Sequence, residues 1–347
     1  MIHPATQFFL DDLSFTPEQF LRIQSEKEWI CSIQRMVAFC LNDQPSFSFQ
    51  TSGSTGTPKT IQHPRALLEA SASATLQYFN LGIGSRVCLA LPAQYVGGAM
   101  MVLRACIGGL HLVLQEPKLC PDLPGDIDFI PLTPSQYMAM QQAGRWSGFK
   151  GVVLLGGASV PAKVDIATEG FQVYVGYGMT ETASHIAIRR LGESVYEALA
   201  STRFTADATG CLSLSAPHLG IDELRTEDMV EVHDEKHFTY MGRAGWVINA
   251  GGVKIHPTIC EHWLEKRGVE AHVVPLPDEK FGQIPVLVFP HKKMVDGWTR
   301  VKDHWFTIKP KWGLLMDQFP QLDSGKVDRK AIELWLKSHQ DLLFPLE

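Results

Sequence analysis

The sequence predicts an α/β protein in which a large N-terminal domain with parallel-rich sheets precedes a small α+β C-terminal domain. Short apolar runs alternate with longer helical stretches between residues 46 and 176, a pattern typical of βαβ units. From about residue 210, short strand-like segments follow one another with turn residues between them, which favours a small barrel-like subdomain. The chain has 347 residues, enough for two or three domains.

The periodicity of apolar residues gives the individual elements in chain order. Helices are predicted over residues 17–41, 97–108, 135–143, 161–168 and 257–267. The first is expected to begin with Thr16 as N-cap and Pro17 at the first helical position. Strands are predicted over residues 46–50, 87–92, 110–115, 128–132, 151–155, 171–176, 212–215, 223–226, 230–233, 238–241, 271–275 and 284–289. A domain boundary is expected near residue 243, giving domains of residues 1–243 and 244–347.

Composition excludes some classes of protein. Hydrophobic residues make up 45% of the chain and charged residues 20%, so most of it is not intrinsically disordered. The net charge of −6 argues against a protein that grips nucleic acid by bulk charge, but it allows a small anionic ligand. The seven cysteines are odd in number and form no CxxC pair, which favours a reducing, cytoplasmic location.

No targeting or membrane segment is expected. The first twelve residues reach two acids before any long apolar run, unlike a signal peptide. The uncharged run at residues 87–103 is interrupted by Pro92 and Gln94 and closed by Arg104, so it predicts a buried strand and a buried helix.

The strongest local pattern is the small-residue loop TSGSTGTPK at residues 51–59, directly after a predicted strand. Its glycines let backbone N–H groups converge on an anion, its hydroxyls add donors, and Lys59 adds charge. It is not a Walker A loop, because Pro58 stands at the second glycine position and has no N–H to offer. A flexible surface linker is the competing interpretation.

This loop resembles the phosphate loop of the adenylate-forming enzymes, a family of acyl-CoA synthetases, luciferases and peptide-synthetase adenylation domains. Four further motifs resemble those of the family and occur in its order. They are Gly156-Gly157-Ala158 for the adenine pocket, YGMTET at 177–182, Thr226-Glu227-Asp228 with Gly242-Arg243 for the ribose, and SGKVDR at 324–329. The resemblance covers residues from about 47 to 335 and implies the adenylate-forming fold, with a mobile C-terminal lid domain.

The resemblance implies that a substrate carboxylate attacks the α-phosphate of ATP and displaces pyrophosphate, with Mg²⁺ as cofactor and coenzyme A as co-substrate. The candidate phosphate-binding residues are Thr51, Ser52, Gly53, Ser54, Thr55, Gly56, Thr57 and Lys59. By the same resemblance Thr180 touches the α-phosphate, Glu181 orders Mg²⁺, and Lys326 bridges the α-phosphate and the carboxylate. Without the resemblance, Lys326 would be interpreted as a solvated surface lysine.

The nucleoside is expected to lie on the ribose pair and the YGMTET motif. By resemblance, Asp228 accepts hydrogen bonds from both ribose hydroxyls, and Arg243 donates to the same sugar. Tyr177, which precedes Gly178, either stacks on adenine or is an ordinary core aromatic residue.

The second half-reaction would use the C-terminal domain. Gly251-Gly252 resembles the segment that lines the pantetheine tunnel of CoA ligases, and a simple turn between two strands is the competing interpretation. Two positions depart from the family pattern. Gly245 stands where an Asp or Lys hinge residue is usual, and Glu227 stands where the ribose motif usually has glycine.

Within the family, the short length and two segments resemble the o-succinylbenzoate–CoA ligases of menaquinone biosynthesis. The segments are LPAQYVGG at 91–98, with the downstream Arg104, and MTETAS at 179–184. o-Succinylbenzoate has two carboxylates and only one is activated, so the other needs a charge partner, for which a buried arginine is suited. Arg104 is the candidate, and a structural salt bridge is its competing role.

Other pocket residues and other functions stay open. Gln94, Tyr95 and Ser184 are weaker candidates for lining the acid pocket, and packing explains His185 equally well. The alternatives are another aryl or acyl acid–CoA ligase, an adenylate-only enzyme that loads a carrier protein, and a non-catalytic nucleotide-binding relative. The last is disfavoured because the candidate charged residues occur together at the family's intervals. No nucleic-acid partner is expected, and an oligomer is possible.

Overall fold

The computed structural model describes residues 2–11, 13–50, 60–158, 160, 170–321 and 327–346. The loop at residues 51–59, the predicted helix at 161–168 and Lys326 therefore lie outside the described residues. The α-helices of the described part are α1 (Pro17–Phe20), α2 (Glu28–Leu41), α3 (Arg65–Tyr78), α4 (Val96–Gly108), α5 (Pro134–Gln142), α6 (Pro257–Glu265), α7 (Lys292–Val301) and α8 (Arg329–Ser338).

The strands fall into three sheets. A large sheet contains β1 (Gln7–Leu10), β2 (Leu13–Phe15), β5 (Arg86–Leu89), β6 (His111–Leu114), β7 (Phe129–Leu132), β8 (Val152–Leu155), β9 (Gln172–Gly178), β10 (His185–Arg190), β11 (Val195–Ala198), β12 (Arg203–Ala206), β13 (Cys211–Ala216), β14 (Ile221–Asp234) and β15 (His237–Arg243). A hairpin is formed by β3 (Ser46–Gln50) and β4 (Thr60–Pro64). A smaller sheet contains β16 (Ile248–Ala250), β17 (Val253–Ile255), β18 (His272–Asp278), β19 (Gly282–Phe289), β20 (Trp312–Leu315) and β21 (Phe344–Pro345).

The large sheet has the strand order β12-β13-β14-β15-β11-β10-β9-β8-β7-β5-β6-β1-β2. Pairing is parallel from β9 through β8, β7, β5 and β6 to β1, and antiparallel from β9 through β10 to β12. The parallel strands are apolar and buried, as expected of strands covered on both faces. Alternate residues enter two cores: Val87 and Leu89 pack with α2, α3 and α4, whereas Cys88 packs with α5.

The smaller sheet begins five residues after the large one ends, at Ile248 after Arg243. Its strand order is β17-β16-β19-β20-β21, with β18 paired antiparallel to β19. Its two faces also support separate cores. Trp298 of α7 is fully buried in one, and Ile332 and Leu336 of α8 are fully buried in the other. The α/β class, with a second, smaller α+β part, is therefore confirmed.

The predicted first helix was only partly right. Thr16 caps α1 through a capping box with Gln19, but the helix ends at Phe20 and a new one begins at Glu28. The side-chain amide of Gln34 donates to the carbonyls of Phe20 and Ile23, which satisfies backbone groups that a continuous helix would have paired.

The prediction of a barrel-like subdomain was also only partly right. The predicted strands at 223–226 and 230–233 are parts of one long strand, β14. Together with β10 to β13 and β15, it forms the antiparallel end of the large sheet instead of a sheet of its own. Among the described residues, no helix is long and apolar enough to cross a membrane.

Candidate active site

Several motifs lie just beyond the carboxyl ends of neighbouring parallel strands. Gly156, Gly157 and Ala158 follow β8, and Thr180 and Glu181 form a short 3₁₀ helix after β9. Since β8 and β9 are parallel neighbours, these segments meet at one edge of the sheet. This edge is where open α/β sheets bind their ligands.

A sharp turn after β9 requires glycine at one position. The chain reverses at Ala183, which has a φ of 58°, and β10 returns antiparallel to β9. A Cβ added at Gly178 would lie 2.2 Å from the carbonyl oxygen of Ser184, so no side chain fits there. Gly178 therefore acts through close backbone approach, holding the Thr180 turn against the start of β10.

A histidine that was not among the predicted site residues joins the β3–β4 hairpin to the same turn. His63 of β4 is buried, and its Nε2 lies 2.6 Å from the carbonyl oxygen of Thr180. Because a carbonyl only accepts, Nε2 carries the proton and donates. In the sequence, His63 is distinguished only by its position four residues after Lys59, and this position does not predict a hydrogen bond to Thr180.

The predicted ribose pair is brought together by strand pairing. Asp228 of β14 and Arg243 of β15 are direct cross-strand partners, and Arg243 Nε donates to Asp228 Oδ1 at 3.0 Å. Burial opposes the charge of Arg243, but the Asp228 carboxylate outweighs it and raises the pKa of that guanidinium. Asp228 is 7% exposed, whereas its neighbour Glu227 is exposed on extended backbone, so a glycine is not needed there.

Tyr177 occupies the core side of this pair. Its hydroxyl donates to Asp228 Oδ2 at 2.6 Å, and its ring packs against Tyr196, Phe238 and Tyr240. Burial, and then the nearby Asp228 charge, raise the pKa of Tyr177, which keeps the hydroxyl protonated as a donor. The structure thus places Tyr177 as a core aromatic residue that orients Asp228, and stacking on adenine stays a prediction.

Arg104 of α4 is the most unusual charge in the described part of the chain. It is 2% exposed, and its Nη2 donates to Ser184 Oγ at 2.7 Å. Its Nε is buried without a hydrogen-bond partner, and none of the described carboxylates forms an ion pair with it. Burial lowers the pKa of Arg104 to about 9. The competing role as a structural salt bridge therefore finds no partner within these residues.

The structure does not bring the other two acid-pocket candidates to Arg104. Gln94 and Tyr95 are exposed and precede the first turn of α4. Arg104 is nine residues further along, about 13 Å of helix axis from Tyr95. No hydrogen bond joins these residues within the described part, so only Ser184 of the predicted lining contacts Arg104.

Of the remaining predicted site residues, two glycines form a simple turn, and the others lie outside the described residues. Gly251 and Gly252 have φ angles of 58° and 86° and form the two-residue turn of the β16–β17 hairpin. This is the competing interpretation given above, and their role toward coenzyme A stays a prediction. The roles of the loop residues 51–59 and of Lys326 lie outside the described residues and also stay predictions.

Arg329, the last residue of the SGKVDR motif, contacts α6 and the segment between the two sheets. Arg329 Nη1 donates to Glu261 Oε1 of α6 at 2.7 Å, and the guanidinium lies 4.6 Å from the ring centroid of Trp246. Burial opposes the charge of Glu261, but Arg329 and His272 hold the pKa of that carboxyl below its usual range. Gly245, beside Trp246, has open space around it and no positive φ.

The geometry at the sheet edge is suited to one magnesium ligand from the protein. Glu181 is exposed, and no group of three His, Cys, Asp or Glu side chains gathers among the described residues. Mg²⁺ commonly takes one or two carboxylates and completes its shell with water and substrate phosphates. Glu181 fits that role.

Fold and site together define an α/β protein whose candidate nucleotide-site motifs gather at the carboxyl edge of its large sheet. Residues 3–209 match the family model of the AMP-binding enzymes. The chain belongs to this AMP-binding enzyme family, and its fold is that of the adenylate-forming enzymes.

Curated relatives match most of the chain at modest identity. The 2-succinylbenzoate–CoA ligase of Escherichia coli K12 is 26% identical over 317 residues, which cover 84% of this chain and 69% of the relative. The 2-succinylbenzoate–CoA ligase of Enterococcus faecalis is 25% identical over 373 residues, which cover 93% of this chain and 76% of the relative.

Solved structures agree on the fold. An acyl-CoA synthetase (AMP-forming)/AMP-acid ligase II-like protein of Dyadobacter fermentans has a TM-score of 0.62 and 29% identity, with 93% of this chain and 99% of that chain covered. MenE of Escherichia coli with a bound analogue of OSB-AMS has a TM-score of 0.67 and 24% identity, with 83% of this chain and 68% of that chain covered.

Proposed function

We propose that the protein is an AMP-forming acid–CoA ligase that activates o-succinylbenzoate. A carboxylate oxygen of the acid forms a bond to the α-phosphorus of ATP while the bond to pyrophosphate breaks. The thiolate of coenzyme A then forms a bond to the acyl carbon, and AMP leaves. Family membership supports the reaction class, and the two 2-succinylbenzoate–CoA ligases support the acid.

The observation that carries the choice of acid is the buried guanidinium of Arg104, which has no ion-pair partner among the described residues. A buried charge is costly without a counter-charge, and in this proposal the ligand brings it. The carboxylate that is not activated supplies that charge, and a fatty acid does not. Helical side chains point toward the helix N-terminus, so Arg104 reaches toward the sheet edge where Ser184 and Thr180 lie.

The other described residues hold the nucleotide in place. Asp228, oriented by Tyr177 and Arg243, presents a carboxylate to the ribose hydroxyls. His63 fixes the Thr180 backbone next to the β3–β4 hairpin. Mg²⁺ on Glu181 would neutralise charge on the phosphates during transfer.

Two further features belong to the proposal. We propose that residues 1–243 and 244–347 are the two domains, supported by their separate sheets and separate cores. A cytoplasmic location is supported by the seven cysteines, all of which are free thiols.

The test compares acids in an Arg104→Met variant, with Leu103→Met as the matched control on the same helix. Truncating one partner of a buried charge pair costs roughly 2–5 kcal/mol, so kcat/KM for o-succinylbenzoate should fall roughly 30-fold to several thousand-fold. The value for benzoate, which has no second carboxylate, should change little. Equal losses for both acids, or a similar loss in Leu103→Met, would contradict the assignment of Arg104 to the second carboxylate.

A further inference from the structure

A chain of hydrogen bonds leads from Arg104 away from the acid pocket. Ser184 Oγ, which accepts from Arg104, lies 3.1 Å from Nδ1 of His185, and Nε2 of the same ring lies 3.2 Å from Oγ1 of Thr75. Thr75 Oγ1 lies 3.3 Å from the carbonyl oxygen of Ser71, one turn earlier in α3. The chain therefore ties α4, the start of β10 and α3 together through His185.

The direction of each proton in this chain follows from what its ends can do. A carbonyl only accepts, so the Thr75 hydroxyl donates to Ser71 and its oxygen accepts from His185 Nε2–H. Burial, together with the charge of Arg104, holds the pKa of His185 well below its usual range, so the ring is neutral and Nδ1 carries no proton. Nδ1 therefore accepts from the Ser184 hydroxyl, which leaves the Ser184 lone pairs to Arg104.

The backbone around His185 is shaped for this ring. The pairing of β9 and β10 shifts register between His185 and Ala187, and such irregularities re-aim side chains next to active sites. On β9, a Cβ added at Gly176 would lie 3.1 Å from the Cβ of His185, so glycine gives the histidine room. Thr75, at the far end, is fully buried.

We propose that His185 is a positioning residue for acid specificity. As the neutral Nε2–H tautomer, it orients the Ser184 hydroxyl, which in turn aims the Arg104 guanidinium at the second carboxylate of a dicarboxylic acid. This inference rests on the proposed function, in which Arg104 binds that carboxylate. His185 acts through its contacts with Ser184 and Thr75.

The test uses two amides that keep different halves of the ring. In His185→Asn the side-chain oxygen can replace Nδ1 as acceptor, whereas in His185→Gln the polar atoms lie near the Nε2 position and the acceptor for Ser184 is lost. The Gln variant should raise KM for o-succinylbenzoate about tenfold, leave KM for ATP and turnover of benzoate unchanged, and be largely rescued in the Asn variant. Equal losses in Asn and Gln, or equal losses with both acids, would overturn the proposal and leave His185 a packing residue.

Nitrogen NMR of labelled wild-type protein tests the same chain without any turnover. The proposal predicts an unprotonated Nδ1 and a protonated Nε2 for His185 at neutral pH, and a reduced preference for this tautomer in Thr75→Val. The opposite tautomer or a charged ring would overturn it. If wild-type enzyme accepts none of the acids, the proposed function fails, while the tautomer still decides the hydrogen-bond chain.

Discussion

Replacing Arg104 by methionine should stabilise the unliganded protein while it removes acid selectivity. The guanidinium is 2% exposed, bonds to Ser184, and has no ion-pair partner among the described residues. Burial lowers its pKa from the usual value of a guanidinium to about 9. Since one pH unit of difference in pKa equals about 1.4 kcal/mol, burying this charge costs about 5 kcal/mol in the folded state at pH 7.

The net gain is smaller because the variant loses a hydrogen bond. A bond from a charged donor contributes about 1.5–3 kcal/mol, so Arg104→Met should raise the free energy of unfolding by about 2–3.5 kcal/mol. Replacing buried ionic groups by apolar ones has gains of about 1–4 kcal/mol, which agrees. Urea unfolding followed by circular dichroism measures this difference, with Leu103→Met as the control that places a methionine on the same helix without removing a charge.

The pH dependence of the gain tests its cause. Below about pH 9 the Arg104 guanidinium is charged in both the folded and the unfolded protein, so the full cost of burying the charge is present in this pH range. Above about pH 9 the folded protein releases the proton and the cost declines, so the difference between wild type and Arg104→Met should shrink. A variant less stable than wild type, or a difference that does not change between pH 7 and 10, would refute this reasoning.

Three further predictions concern the nucleotide, the turn after β9 and the lid. Asp228→Asn should raise KM for ATP by roughly 10- to 100-fold, whereas Glu227→Gln, at the exposed neighbouring residue, should leave KM for ATP unchanged. Steady-state kinetics with varied ATP measures both variants, and equal effects would contradict the ribose role of Asp228. Gly178→Ala should lower the unfolding midpoint and the activity, because the added Cβ would meet the Ser184 carbonyl oxygen. Gly156→Ala is the control, since Gly156 has open space around it and the variant should unfold like wild type. A Gly178→Ala variant as stable and active as wild type would contradict the described turn. Lys326→Ala should abolish adenylation but spare thioester formation from a supplied acyl-adenylate; equal loss of both half-reactions would contradict a two-pose lid.

The sequence was sufficient for most of the fold because its strands are short apolar runs separated by clear turn residues. Val87 to Leu89 and Phe129 to Leu132 are buried on both faces, and that leaves an unambiguous pattern. The exceptions depend on tertiary contacts. The break after Phe20 is satisfied by Gln34, fourteen residues away, and no local pattern shows this bond.

The candidate site was predictable where a residue acts through its own motif. Asp228 and Arg243 were paired by the family resemblance alone, since neither lies within a predicted strand, and the structure makes them cross-strand partners. The roles of His63 and His185 were not predictable, because each depends on a partner more than a hundred residues away in the chain. Whether Arg104 had an ion-pair partner was equally invisible in the sequence, since burial and the absence of a partner among the described residues are properties of the fold.

The central claim is that this chain joins o-succinylbenzoate to coenzyme A through an adenylate. The most direct measurement is mass spectrometry of reactions that contain Mg-ATP, coenzyme A and one acid: o-succinylbenzoate, benzoate or a medium-chain fatty acid. We expect AMP and a thioester to form far faster with o-succinylbenzoate than with benzoate or the fatty acid. AMP without a thioester would instead indicate an enzyme that stops at the adenylate, and a thioester formed preferentially from benzoate or the fatty acid would contradict the role given to Arg104.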